Sequence, residues 1–271
     1  MTMRIFMGWM GLLLWPLWIG AGELHWRGEL TQGGLLIGQA PPGTRLTLDG
    51  QPAPVTPEGA FVLGFGRDAP PQARLGVTFP DGAREERRLS IAQRQYRIQR
   101  IDGLPARQVT PPPELLERIR RENARVAAAR QQEIPQAYFT NGFIWPVTGR
   151  ITGVYGSQRI LNGEPRQPHY GIDIAAPVGT PVRAPAAGVV TLAEPDLYYS
   201  GATLIIDHGY RLSSTFLHLQ KIHVQVGQTV RQGDVVATVG ATGRVTGAHL
   251  DWRMNWREER IDPALLVPPM R

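Results

Sequence analysis

Of the six histidines in the chain, five lie in its second half: His169, His208, His218, His223 and His249. Two of these are spaced for chemistry. His169 is followed four residues later by Asp173, in Pro168-His169-Tyr170-Gly171-Ile172-Asp173. His249 and Asp251 are separated by a single residue, and on a strand residues i and i+2 project from the same face. Hydrolytic zinc takes three protein ligands from His and carboxylate and keeps a fourth position for water. His169, Asp173 and one member of the 249/251 pair would supply that set. Spacing alone does not distinguish such a site from a solvated histidine near an aspartate, an arrangement that chance produces often. The chain has no cysteine, so thiolate metal sites, a thiol nucleophile, a disulfide framework and a lipid-anchored N-terminal Cys are excluded.

These residues need a frame of short strands to hold them, and the composition supplies one. The 271 residues are 42% hydrophobic and carry 31 Gly and 24 Pro, enough for two ordinary domains built of strands and turns rather than long helices. Residues 23–100 alternate short apolar runs with turn signals: Leu35-Leu36-Ile37, Leu46-Thr47-Leu48, Phe61-Val62-Leu63 and Leu75 to Phe79, with Asp81-Gly82 as a hairpin turn before Arg87 to Ile91. This predicts a small all-β, sandwich-like domain without chemistry of its own. Residues 101–135 read as a linker. Thr110-Pro111-Pro112-Pro113 suits a helix start, and Glu114 to Gln132 runs without Gly or Pro, with Leu115, Ile119 and Val126 on one face and Leu116 beside them. Pro135 ends it. Residues 136–271 return to strands, expected at Val182–Leu192, Ala202–Asp207, Leu212–Leu217, Val235–Val239 and His249–Met254. The fold class expected is therefore mainly β, with one linker helix.

Residues 1–22 combine a positive start at Arg4, an apolar stretch from Ile5 to Ile19 and the small residues Gly20-Ala21-Gly22, the pattern of a cleaved secretory signal. The apolar stretch is shorter than the roughly 20 residues a membrane span needs, and Pro16 interrupts it. The expectation is an exported protein, periplasmic or envelope-associated, with no stable span after cleavage. The net charge of +6 then suits the anionic surface of a cell envelope better than nucleic acid.

Several further pieces follow one another in order. They are Phe143 to Gly149, Val154-Tyr155-Gly156, His169 to Ala175, Gly179-Thr180-Pro181-Val182, Ile206-Asp207-His208-Gly209, Phe216-Leu217-His218-Leu219, Val226 to Asp234 and Gly247 to Trp252. Together, over about residues 140 to 265, they resemble the lysostaphin/LytM-type peptidoglycan zinc metalloendopeptidases. The resemblance implies a C-terminal antiparallel β domain with one zinc ion per chain, acting on the stem peptides and cross-links of peptidoglycan. His169 and Asp173 match the His-x-x-x-Asp zinc ligands. His218 matches a histidine on a neighbouring strand that faces the reacting carbonyl or water, and His249 matches the first His of the family's His-x-His, which is catalytic and not a ligand. Which of His218 and His249 is the base and which the oxyanion donor is left open by the pattern.

Where the family has its second His, the third ligand, this chain has Asp251. A carboxylate oxygen is an accepted zinc ligand, but two carboxylates neutralise the dication and make it a weaker Lewis acid. The alternative is a catalytically impaired domain that binds cell wall or activates another wall hydrolase. The run Val226–Val236 also resembles the turn of biotinyl and lipoyl carrier domains, yet the only lysine, Lys221, lacks their Met-Lys-Met setting. Other residues have plainer expectations: His208 structural in a turn, His223 on an exposed strand, His25 near the mature terminus. Tyr155, Tyr170 and Trp252 are either groove-lining or core.

Overall fold

Turn-punctuated apolar runs give short strands throughout the computed structural model, which describes residues 23–102 and 113–270. The predicted leader and residues 103–112 of the predicted linker lie outside the described residues. Seven strands come first: β1 (His25–Arg27), β2 (Leu35–Gln39), β3 (Arg45–Leu48), β4 (Gln51–Ala53), β5 (Ala60–Gly64), β6 (Gln72–Thr78) and β7 (Arg84–Ser90). They form two antiparallel sheets, ordered β1-β2-β5 and β4-β3-β6-β7. Leu36 and Leu63 of the first share a buried cluster with Leu46 and Leu75 of the second, as a sandwich-like arrangement requires.

The chain continues through β8 (Ile98–Ile101) and the helix α1 (Leu116–Arg130), then β9 (Arg150–Gly153), β10 (Gln158–Leu161), β11 (Glu164–Pro165) and β12 (Gly171–Ala175). It closes with β13 (Pro181–Arg183), β14 (Gly188–Leu197), β15 (Gly201–Asp207), β16 (Leu212–Ile222), β17 (Thr229–Val230), β18 (Val235–Val239), β19 (His249–Trp256) and β20 (Glu259–Ile261). A large antiparallel sheet runs β17-β14-β15-β16-β19-β12-β9, while β18 joins β13 to β16 and β20 borders β19. A separate three-stranded sheet, β11-β10-β8, pairs β8 in parallel with β10.

Two expectations need correction. The single strand predicted over Val182–Leu192 is two, β13 and β14, because Ala184-Pro185-Ala186-Ala187 intervenes and Pro185 has no N–H to give a ladder. On α1, Leu116 points to solvent rather than packing beside Ile119, and the buried residues are Ala129 and Glu122. Ala129 packs with Val126 on Leu192 and Ile205 of the large sheet. Glu122 is buried because its carboxylate is fully used: Oε2 accepts the Tyr198 N–H at 2.8 Å and Oε1 accepts from Arg118 at 2.6 Å.

The buried cluster is continuous from Leu36 and Phe61 to Trp256 and Ile261, so the N-terminal sheets and the large sheet share a core. Contacts concentrate at the far end of β19. Arg94 donates to Asp262 at 2.8 Å, the Asp262 N–H donates to Gly33 at 2.8 Å, and Arg257 donates to the Pro52 carbonyl at 2.7 Å.

At the end of β15 two buried titratable neighbours pull in opposite directions. Burial pushes the Asp207 carboxyl up to about 7, although Oδ1 accepts the Gly209 N–H at 2.7 Å. His208 donates from Nδ1 to the Ala187 carbonyl and accepts at Nε2 from Ser214, both at 2.8 Å, and burial lowers its pKa to about 4. It is structural, as expected. A carboxyl raised in the fold contributes stability that is lost as pH rises from 3.8 to about 7; a histidine lowered in the fold contributes stability that is lost as pH falls from 6.5 to about 4. The two slopes oppose each other between those limits. Asp207→Asn removes one of them: its advantage over wild type in urea unfolding should grow from near nothing at pH 4 to about 4 kcal/mol at pH 8. A pH-independent difference between the two proteins would refute the assignment.

Candidate metal centre

Register places the candidate ligands. In the three adjacent antiparallel strands β12, β19 and β16, Asp173 stands opposite Asp251, and Asp251 opposite Leu217. Alternation sends Leu250, Trp252 and Met254 into the core, each 0% exposed, and leaves His249, Asp251 and Arg253 on the other face. Gly153 borders Asp173 from β9, where a Cβ would stand 2.1 Å from Asp173 Oδ2.

His169 precedes β12 and is held by its backbone. Its carbonyl accepts the Gly156 N–H at 2.8 Å and its own N–H donates to Ser157 at 2.7 Å. Gly156 is in turn fixed from the N-terminal side. Arg67 Nε donates to its carbonyl at 2.9 Å, Tyr96 stacks edge-on against Tyr155, and β8 pairs with β10 just beyond. Gly156 has φ +82°, and a Cβ there would stand 2.0 Å from the Tyr96 ring. Only glycine meets both demands.

His169 Nε2 and Asp173 Oδ1 are 3.1 Å apart, near enough to attract but without the alignment of a hydrogen bond, so both buried atoms are left without a hydrogen-bond partner. With a carboxylate oxygen of Asp251 they lie within 4.8 Å of one another. One imidazole and two carboxylates converging in this way, with His169 Nε2 and Asp173 Oδ1 unpartnered, fit a zinc ion. The structure thus brings His169, Asp173 and Asp251 into one cluster.

His218 and His249 flank it, their rings 4.9 Å apart. Strict alternation would turn His218 away, since Leu217 already faces the site. A bulge corrects this: two residues, Leu217 and His218, oppose Thr203 alone, and His218 adopts φ +63°. Its N–H donates to Ser200 and its Nδ1 donates to the Thr242 carbonyl, both at 2.9 Å. His249 Nδ1 likewise donates to the Gly247 carbonyl at 2.9 Å, and its Nε2 lies 3.7 Å from Asp173 Oδ1. A carbonyl can only accept, so Nδ1 carries a proton in both rings, and whichever ring is neutral presents a bare Nε2. Burial lowers the His218 pKa, with Asp251 and Thr242 opposing and His249 and Arg253 adding to the effect.

Sequence reasoning overlooked Arg253. Its Nε donates to both Asp251 oxygens at 3.0 Å and its Nη2 to Oδ2 at 2.6 Å. Burial alone would raise the Asp251 carboxyl, but the Arg253 charge and hydrogen bonds hold it below the ordinary value. The period-2 count through His249 and Asp251 would have found it. Thr242 and Glu122 carried no such signal, because each acts through contacts distant in sequence. Of the aromatic candidates, Trp252 and Tyr155 are core, and Tyr155 donates to the Arg260 carbonyl at 2.6 Å. Tyr170 is half-buried beneath the Arg260 guanidinium. His25 and His223 are exposed, and His223 lies just beyond the end of β16 rather than on a strand.

Gly156→Ala should cost about 2 kcal/mol or more, from a positive φ combined with collision into Tyr96. The same collision is absent in a Gly156→Ala/Tyr96→Ala double variant, so a denaturant midpoint that partly recovers there would locate the strain. Equal midpoints for Gly156→Ala and wild type would remove the buttress from this account.

Compared with known proteins, residues 167–263 match the family described as Peptidase family M23. A crystal structure of a Pseudomonas aeruginosa protein assigned to peptidase M23 is 32% identical, with a TM-score of 0.67, over 88% of this chain and 94% of that one. The peptidoglycan DD-endopeptidases ShyB and ShyA of Vibrio cholerae are 34% identical over 146 residues and 42% identical over 103. Those alignments take in 52% and 38% of this chain but only 30% and 24% of the relatives, so the chain spans less than a third of their length.

Proposed function

We propose, since this chain belongs to peptidase family M23, that it is an exported zinc endopeptidase hydrolysing the peptide cross-links of peptidoglycan. The observation that carries the reading is the pair of buried, hydrogen-bond-free donors, His169 Nε2 and Asp173 Oδ1, converging with Asp251 beside two histidines whose Nδ1 atoms are tied to carbonyls. His169, Asp173 and Asp251 would hold the metal. When bound, zinc supplies Lewis acidity that polarises a peptide carbonyl and activates water.

The chain's own groups do the rest. Because Nδ1 of both His218 and His249 is tied to a carbonyl, each ring can take a proton only at Nε2, and once protonated it donates from that same atom. One histidine, entering neutral, serves as base at Nε2, and the other, entering protonated, donates from Nε2 to the developing oxyanion. The bulge at His218 and the Thr242 anchor hold the two rings at that separation. The names of the Vibrio cholerae relatives, both peptidoglycan DD-endopeptidases, support a DD-endopeptidase cut within the cross-link. The leader-like residues 1–22 support export, and among the described residues no helix is long and apolar enough to cross a membrane.

A second reading rests on one observation, the grip of Arg253 on both Asp251 oxygens. In it the centre takes no metal and the chain binds wall or activates another hydrolase.

Digestion of purified peptidoglycan separates the two. The zinc-loaded protein should convert cross-linked dimers to monomers, identified by mass spectrometry, and a chelator should stop it. No release from folded, zinc-supplied protein would favour the second reading. Asp251→Ala should lose stoichiometric zinc, whereas His249→Ala should retain zinc and lose at least about a hundredfold in turnover, the scale of general acid–base catalysis. Full zinc occupancy in Asp251→Ala would sink Asp251 as a ligand.

A further inference from the structure

The Asp251–Arg253 pair is built rather than incidental. Both residues sit on the site face of β19, and Asp251 is only 2% exposed. Arg253 stands opposite Gly171 on β12 and opposite Thr215 on β16. A Cβ at Gly171 would lie 2.5 Å from Asp251 Oδ1 and 2.6 Å from Arg253 Cγ, so the absence of a side chain there is what admits the pair. The guanidinium is fixed there by three hydrogen bonds to the two Asp251 oxygens, so its charge stands beside the cluster in one orientation.

Two consequences follow from elementary electrostatics. A carboxylate offers four lone-pair sites on two oxygens, and a guanidinium fork uses only some of them, so Asp251 can be held by Arg253 and still present a lone pair to a metal. Two carboxylates cancel a dication, and a guanidinium locked beside them returns one unit of positive charge. That is the charge of a centre with a single carboxylate and neutral partners.

We propose that Arg253 is a positioning residue of the metal centre, a fixed cation that offsets the second carboxylate, loosening the hold on zinc while preserving the centre's pull on the substrate carbonyl. The proposal rests on the zinc-endopeptidase reading above. It makes Asp251 and Arg253 one unit in place of a single neutral ligand. It also separates two quantities that a purely structural role would move together, since removing a cation beside the metal strengthens binding and weakens electrophilicity.

The experiment measures, on the full chain, the zinc dissociation constant by competition with a chromogenic chelator and kcat on cross-linked peptidoglycan dimers. Arg253→Gln should bind zinc about tenfold more tightly, from the charge repulsion removed, and turn over about tenfold or more slowly, the size of loss seen when partners of metal ligands are changed. Arg253→Met, which keeps the apolar stem, should give the same split and serves if the Gln variant does not fold, as thermal unfolding of the metal-free proteins would reveal. Arg253→Lys keeps the charge without the fork and should bring the zinc constant back towards wild type. Parallel loss of zinc binding and turnover in Arg253→Gln would show that Arg253 only props Asp251, and no change in either would show that its charge is idle; both overturn the proposal. Failure of the wild-type protein to bind zinc at all would instead overturn the reading on which it rests, before any variant is compared.

Discussion

Two carboxylates, Asp173 and Asp251, face each other across adjacent antiparallel strands, and like charges in directly opposed positions repel. Much of the neighbourhood answers that constraint. His169 approaches one carboxylate at 3.1 Å, Arg253 grips the other, and glycines at 153 and 171 leave room for both. The opposition itself is enforced by the core on the reverse side of the sheet. Ile172 and Ile174 of β12 and Leu250, Trp252 and Met254 of β19 are buried there, and a slip of one residue would drive the charged row into the apolar layer. Apolar packing thus holds together what electrostatics alone would push apart.

The same register excludes His218, which is why the bulge in β16 matters. Left-handed backbone at a non-glycine residue is unfavourable by about a kcal/mol or more, and it persists where surrounding structure over-determines it. Here the His218 N–H, the ring Nδ1 and the Thr242 hydroxyl each have a backbone partner, at 2.9, 2.9 and 2.8 Å. The two flanks of the cluster are braced from different parts of the chain. Glu122 of the helix holds the β14–β15 hairpin through Tyr198, two residues before the carbonyl that anchors His218. Arg67 and Tyr96 hold Gly156, which holds His169.

The parts of the site legible in the sequence were those governed by local periodicity. His249 and Asp251 share a face because strands alternate, and His169 lies close to Asp173 because it stands just before the short strand that carries Asp173. The break at Pro185 was also visible in principle, since a residue without an N–H interrupts a ladder. What could not be read was set by contacts between distant segments. The burial of Glu122 depends on a backbone N–H 76 residues away, and the anchoring of His218 on a carbonyl 24 residues away. Glu122 in particular looks like an ordinary solvent-facing glutamate on a polar helix until the hairpin that needs it is in place. Arg253 belongs to neither group: its position was deducible, but its partner choice was not, because an arginine on a strand face has many possible carboxylates.

The parallel pairing of β8 with β10 bears on where the site is encoded as well as on its support. The family match begins at residue 167, whereas the residues that steady His169 lie at 67, 96 and 156, outside the matched stretch. A segment limited to the matched stretch would carry His169 and leave behind the scaffold that aims it. The aim of His169 is therefore encoded across a longer block than the matched stretch, reaching back to residue 67.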